Sequence, residues 1–208
     1  MITKDTQANH WASKDCRIIQ SYWNSPPAIK RSLWFTNQLK NYNFDSIFEV
    51  GYFSGRNLKY ICDKFKNIHV SGLEINKKAV GFAREKLKNL DLLSMNLHNM
   101  DSILRKYDIV FSSGVLIHIP PDDLKSVVKK MIGLSSKYIM HIESIGETAV
   151  SAGPKHLNPT YKVSDQVQWI VDLQKIYTEL GFDAVKIINL PNNCKTNGAS
   201  ELVIVEIK

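Results

Sequence analysis

The stretch Ser46-Ile-Phe-Glu-Val-Gly-Tyr-Phe-Ser-Gly55 decides how the chain is read. The apolar run from Ile47 to Val50 stops at Gly51, and Gly55 follows four residues later. Beyond it, Leu58, Ile61, Cys62 and Phe65 recur at helical spacing. The order is strand, glycine turn, helix. Such a turn brings a ligand against bare backbone and the start of a helix. Glu49 is the odd residue of the run, because a carboxylate inside a strand is costly to bury without a partner.

The turn excludes two phosphate-binding readings. Gly55-Arg56-Asn57 stands where a P-loop needs Gly-Lys-Ser/Thr. Phe53 and Arg56 occupy the places of the second and third glycines of the dinucleotide fingerprint. What remains is E-x-G-x-x-x-G, followed by the acid Glu74 at the end of the next apolar run, 19 residues beyond Gly55. This resembles the first motif of class I S-adenosylmethionine (SAM)-dependent methyltransferases, many of which carry a third glycine at the position of Phe53.

Outward from the turn, short strands alternate with helical patterns. Residues 68–73 form a second strand, and Asn76 caps a helix whose face is Val80, Ala83, Leu87 and Leu90. Residues 92–95 and 107–111 are further strands. Pro120-Pro-Asp-Asp123 opens a helix with a face of Leu124, Val127, Val128 and Met131, and residues 138–142 are a fifth strand. This order predicts a mostly parallel sheet covered on both faces. Residues 144–163 read as one long loop. Ser164 is expected to cap a helix through Leu173, Ile176, Tyr177 and Leu180 that Gly181 closes. Residues 184–190 and 202–207 read as an antiparallel hairpin. The resemblance implies an α/β, Rossmann-like three-layer sandwich that ends in this C-terminal antiparallel β-hairpin.

Upstream, residues 1–9 read as unstructured. Ala12, Cys16, Ile19 and Trp23 predict a helix after His10, and Ile29, Leu33, Trp34 and Leu39 a second one, opened by Pro27 and running to about Tyr42. Residues 1–44 are thus a helical flank to a methyltransferase domain at 45–208. The flank either packs on the core or closes a cleft as a lid, with Trp11, Tyr22, Trp23 and Trp34 as its large aromatics.

Composition narrows the class. The 208 residues suit one domain with an elaboration, and 44% hydrophobic content supports a core. No apolar stretch approaches a membrane span, and the first residues do not read as a signal peptide. Cys16, Cys62 and Cys194 are far apart and form no C-x-x-C pair, which suits reduced thiols and a cytoplasmic location. The formal charge of +7 comes from scattered lysines without a dense basic run, so nucleic acid is not the expected partner. No spacing suggests a metal site.

The resemblance assigns roles residue by residue. Gly51, Tyr52 and Gly55 line the methionine part of the cofactor, with Ser113 and Gly114 beside it. Asn57 reaches its carboxylate, and Glu49 holds the loop or the cofactor's amino group. Glu74 takes the ribose diol and Ile75 packs on the adenine, whose edge meets Asn96 and Leu97. The segment from Val110 to Leu124 resembles the motif after strand four of small-molecule methyltransferases, in particular methylases associated with pseudaminic acid biosynthesis. That similarity runs over residues 48–143. No Asn- or Asp-Pro-Pro-aromatic tetrad follows the fourth strand, which speaks against amino-methylation of DNA, RNA or protein glutamine.

The expected activity is transfer of a methyl group to oxygen or nitrogen of a small polar, sugar-related acceptor. His118 is the first candidate for general base and Glu143 the second. His141 lies two residues before Glu143. An RNA methyltransferase and a non-catalytic SAM-fold binding protein are the alternatives.

Overall fold

The computed structural model describes residues 4–145, 160–163, 166–169, 171–196 and 199–207. Its strands are β1 (Ser46–Val50), β2 (His69–Glu74), β3 (Asp91–Ser94), β4 (Tyr107–Ser113), β5 (Ser135–Glu143), β6 (Thr160–Val163), β7 (Gln166–Trp169), β8 (Val185–Asn189) and β9 (Glu201–Glu206). Seven of them form one sheet in the order β3-β2-β1-β4-β5-β9-β8. Pairing is parallel from β3 to β5, and β9 enters antiparallel between β5 and β8. The expected three-layer sandwich and C-terminal hairpin are therefore present.

Alternation along β1 divides the core. Ile47 packs on one face of the sheet, against helices α3 (Pro26–Gln38), α4 (Arg56–Lys64) and α5 (Lys77–Lys86). Phe48 and Val50 pack on the other face, against α6 (Pro121–Leu134) and α7 (Leu173–Glu179). Burial on both sides explains why these strands read as continuous apolar runs.

The N-terminal region departs from expectation. Helix α1 (Lys4–Ala12) covers residues read as unstructured, and a separate α2 (Cys16–Asn24) follows it. The Asp15 carboxylate accepts from the backbone N–H groups of Arg17 and Ile18 and so starts a new helix within the predicted one. The face of α3 is rotated as well. Its buried residues are Ala28, Arg31, Ser32, Phe35 and Thr36, while Leu33 is half exposed. A polar stripe faces inward because Ser32 meets Asn57 and Arg56 of α4 and Arg31 meets Thr196 and Cys194, before β9.

Two further expectations change near the C-terminus. β6 and β7 form an antiparallel hairpin where a loop end and a helix start were read. α7 is capped by Asp172, whose Oδ1 accepts from the Lys175 N–H at 2.9 Å. Ser164 and residues 146–159 of the expected long loop lie outside the described residues. Among the described residues, no helix is long and apolar enough to cross a membrane, and no cluster of three His, Cys, Asp or Glu is placed to hold a metal ion.

Gly72 sets the spacing beneath the turn. A Cβ there would lie 2.7 Å from the Glu49 carbonyl oxygen and 2.9 Å from Tyr52 Cδ1. Backbone cannot yield cheaply, so Gly72→Ala is expected to cost about 1–3 kcal/mol of stability. Chemical denaturation should show a lower midpoint with an unchanged slope.

Candidate functional site

The chain turns at the carboxyl end of β1 in a left-handed conformation. Gly51 and Gly55 have φ of 73° and 77°, and Phe53 has φ of 44°. A Cβ on Gly51 would lie 2.8 Å from Val115 Cγ2, and one on Gly55 would lie 2.8 Å from Leu87 Cδ1. Both glycines are needed for backbone shape and for close approach. Phe53 keeps its left-handed backbone although it is bulky and costs strain of order 1–3 kcal/mol. Its N–H donates to Glu74 Oε2 at 2.9 Å, and its ring meets Tyr22 and Trp11 edge-on at 5.0 and 5.6 Å.

Above this turn lies a cavity of about 700 Å³. It runs over the ends of β1, β2, β3 and β4, the carboxyl edge where open α/β sheets bind ligands. Of the thirteen residues expected at the site, eleven line it. Glu49, Gly51, Tyr52, Gly55's neighbours Ser54 and Arg56, and Asn57 form one wall.

 The other two are Gly55, whose neighbours Ser54 and Arg56 line the cavity, and Glu143, which stands back from it.

Glu49 is the buried carboxylate of this wall. Its Oε1 accepts from Asn57 Nδ2 at 2.6 Å, while Oε2 has no partner. Burial pushes its carboxyl up to about 8, against the Asn57 hydrogen bond and the field of Arg56, which pull it down. Asn57 is itself committed on both sides, because its Oδ1 accepts from Ser32 Oγ at 2.6 Å. The structure therefore gives Asn57 to Glu49 and Ser32, where the sequence suggested a ligand carboxylate.

Glu74 ends β2 beside the same wall. Its Oε2 accepts from Phe53 N–H, and its Oε1 accepts from Asn76 N–H at 2.7 Å. Burial raises its pKa, and these backbone N–H groups oppose the rise. Ile75, Asn96 and Leu97 follow along the cavity. Asn96 Oδ1 accepts from His98 N–H at 3.0 Å and caps the 3₁₀ helix Leu97–Ser102.

Ser113, Gly114 and His118 line the opposite side. His118 closes the 3₁₀ turn Leu116–His118, and its ring lies 4.8 Å from that of Trp11. Glu143 supports this turn from behind. Its Oε1 accepts from Ser112 Oγ at 2.9 Å and from the N–H groups of Val115 and Leu116 at 3.0 and 3.2 Å. Burial pushes its carboxyl up to about 7 against these donors. His141 is also fully buried, between Ser112 Oγ at 2.9 Å and Tyr177 Oη at 2.6 Å. Burial draws its pKa down to about 3, so its imidazole is neutral.

Of the four flank aromatics, Trp11 and Tyr22 line the cavity, whereas Trp23 packs on Phe82 and Trp34 on the core. Asn76 Nδ2 fixes the turn between α1 and α2 by donating to the carbonyls of Trp11 and Lys14 at 2.8 and 3.0 Å. Arg31 and Arg56 are cavity residues that the sequence reading did not select. The signal for Arg31 was helical period, since it falls on the stripe of Ala28 and Phe35.

Residues 47–136 match a family model described as a methyltransferase domain. No curated protein matches the chain. Several solved structures share the fold. Magnesium protoporphyrin IX methyltransferase from Synechocystis PCC 6803, with bound S-adenosylhomocysteine (SAH), is 15% identical with a TM-score of 0.66, covering 93% of this chain and 100% of that one. The SAM-bound amino pentose methyltransferase CalS10 from Micromonospora echinaspora is 8% identical with a TM-score of 0.68, covering 94% and 98%. The sugar N-methyltransferase KedS8 from Streptoalloteichus sp. ATCC 53650 is 9% identical with a TM-score of 0.66, covering 93% and 92%.

Glu49 gives the ligand-free protein a pH dependence with a defined sign. The folded chain holds this proton up to about pH 8, against an ordinary value of 4.5. The unfolded chain binds fewer protons across that window, so stability falls as pH rises through it. Denaturation of Glu49→Gln between pH 5 and 8 should show a shallower fall than the parent protein.

Proposed function

We propose that this chain is a class I SAM-dependent methyltransferase that acts on oxygen or nitrogen of a small, polar, sugar-related acceptor. The observation that carries the reading is the unpartnered oxygen of buried Glu49 at the cavity wall, beside the left-handed glycine turn. A buried carboxylate with half of its capacity unused suits an ammonium group, and the amino-acid end of SAM carries one. The glycine turn leaves room for Val115 and Leu87 to pack against its backbone, which fixes the wall of the cavity. The family match and the sugar methyltransferases of the same fold support the reading.

Bound SAM supplies a sulfonium methyl that is already electrophilic. The chain's residues hold and orient the reactants. Glu74 accepts from the ribose diol with the lone pairs its two backbone donors leave free. Ile75 and Leu97 pack on the adenine, and Asn96 meets its edge. Gly51, Tyr52, Ser113 and Gly114 border the methionine part. Such positioning contributes roughly 7–11 kcal/mol to a two-reactant step.

His118 stands in the acceptor half and takes the proton when the acceptor is a hydroxyl. Glu143 is assigned a positioning role, since its Oε1 accepts from the turn backbone and the residue does not line the cavity. Trp11 and Tyr22 close over the reactants and exclude water, which makes α1 and α2 a lid over the domain of residues 45–208.

Calorimetry should show SAM and SAH binding to the purified protein, and flat titrations at millimolar ligand would remove the reading. Glu74→Gln leaves one acceptor oxygen of two and should weaken SAM by about 1–3 kcal/mol. His118→Ala should keep SAM affinity within a few-fold while slowing transfer by about 10²-fold or more. A purely structural histidine would lower the melting temperature and spare turnover per folded molecule.

A further inference from the structure

The cavity holds two arginines that its carboxylates, Glu49 and Glu74, do not pair. Arg31 and Arg56 both line it and are only 8% and 7% exposed. Among the described residues, neither forms an ion pair. Both donate only to neutral groups. Arg56 Nε donates to Ser32 Oγ at 3.0 Å, and one of its Nη groups to the Tyr22 carbonyl at 2.5 Å. Arg31 donates through Nη1 to Thr196 Oγ1 at 2.9 Å and more distantly to the Cys194 carbonyl at 3.5 Å. Arg31 Nε is buried with no partner at all. A buried guanidinium without an anion is costly, and burial lowers the pKa of both.

The two arginines stand within each other's field, and each is reached by a different carboxylate. Arg56 opens α4 directly after the glycine turn, and the carboxylate whose field reaches it is Glu49. Arg31 is anchored on Thr196 and Cys194, in the connection from β8 to β9. The carboxylate whose field reaches it is Glu143, at the end of β5. Sheet order places β5 and β9 beyond β4, on the opposite side from β2 and β3, where Glu74 and Asn96 stand. The cofactor assigned above occupies the β3-β2-β1 half and brings one carboxylate, which falls to the Arg56 end. Arg31 then remains for the acceptor.

We propose that the acceptor is an anion, a carboxylate- or phosphate-bearing small molecule whose oxyanion docks on Arg31 with Thr196 beside it. Arg31 projects a planar fork that matches either oxyanion. The inference rests on the methyltransferase reading and goes beyond it by naming the charge of the acceptor. Neutral sugars can accept from Arg31 Nε but lack the negative charge that would balance its guanidinium.

The experiment is calorimetric titration of the SAH-saturated protein with glucuronate, glucose 6-phosphate and glucose as probes. Binding of at least one anionic probe is expected at a Kd tenfold or more below that of glucose, and the stronger one identifies the oxyanion. Arg31→Gln should bring that probe to the level of glucose while SAH affinity stays within about twofold, and Arg31→Lys should recover part of the loss. Equal binding of charged and neutral probes, or no anion binding, overturns the proposal. A tenfold loss of SAH affinity in Arg31→Gln with anion binding unchanged also overturns it, because Arg31 would then serve the cofactor. If the parent protein does not bind SAH, the methyltransferase reading fails first and takes this inference with it.

Discussion

The site depends on a carboxylate kept inside a strand. Glu49 lies in β1 between Phe48 and Val50, and its neighbours on the strand are core residues. Removing it from water disfavours its charged form, and a single hydrogen bond from Asn57 only partly offsets that cost. Asn57 is held in turn by Ser32, and Ser32 Oγ also accepts from Arg56. Ser32 on the inward polar stripe of α3 serves this group, while Arg31 reaches Thr196 and Cys194 and Thr36 Oγ1 donates to the Ser32 carbonyl.

A second buried polar chain supports the other half of the cavity. Ser112 spends its proton on Glu143, so its oxygen accepts from the Nδ1–H of His141. Nε2 is then left to accept from the Tyr177 hydroxyl. Every donor points towards Glu143, which passes the order on to the backbone of Val115 and Leu116. Buried hydrogen bonds of this kind polarise one another and hold their members in place, although Glu143 Oε2 has no partner. Here the network fixes the turn that carries His118.

Much of the fold was legible in the sequence because the sheet is parallel and buried. Its strands are uniform apolar runs, and the glycines, Asn76 and Pro121 mark the turns and helix starts between them. The flank was less legible. Asp15 divides what apolar spacing reads as one helix, since a cap is decided by two local hydrogen bonds rather than by periodicity. The face of α3 was misread because an apolar stripe was sought where a polar one is buried. Glu49, Gly51, Gly55 and Glu74 could be chosen from spacing. The withdrawal of Glu143 and His141 from the cavity could not, because it depends on Ser112 and Tyr177, which are distant in sequence.

The central claim is that Glu49 receives an ammonium group in the cavity. The most direct test is calorimetry of SAH binding at pH 7 in two buffers of different ionisation enthalpy. An ammonium partner stabilises the ionised carboxylate, so a group that holds its proton to about pH 8 must release it on binding. The account predicts release of close to one proton by the parent protein and a clear reduction in Glu49→Gln. Tight binding with no proton released, or with the same release from Glu49→Gln, would contradict it.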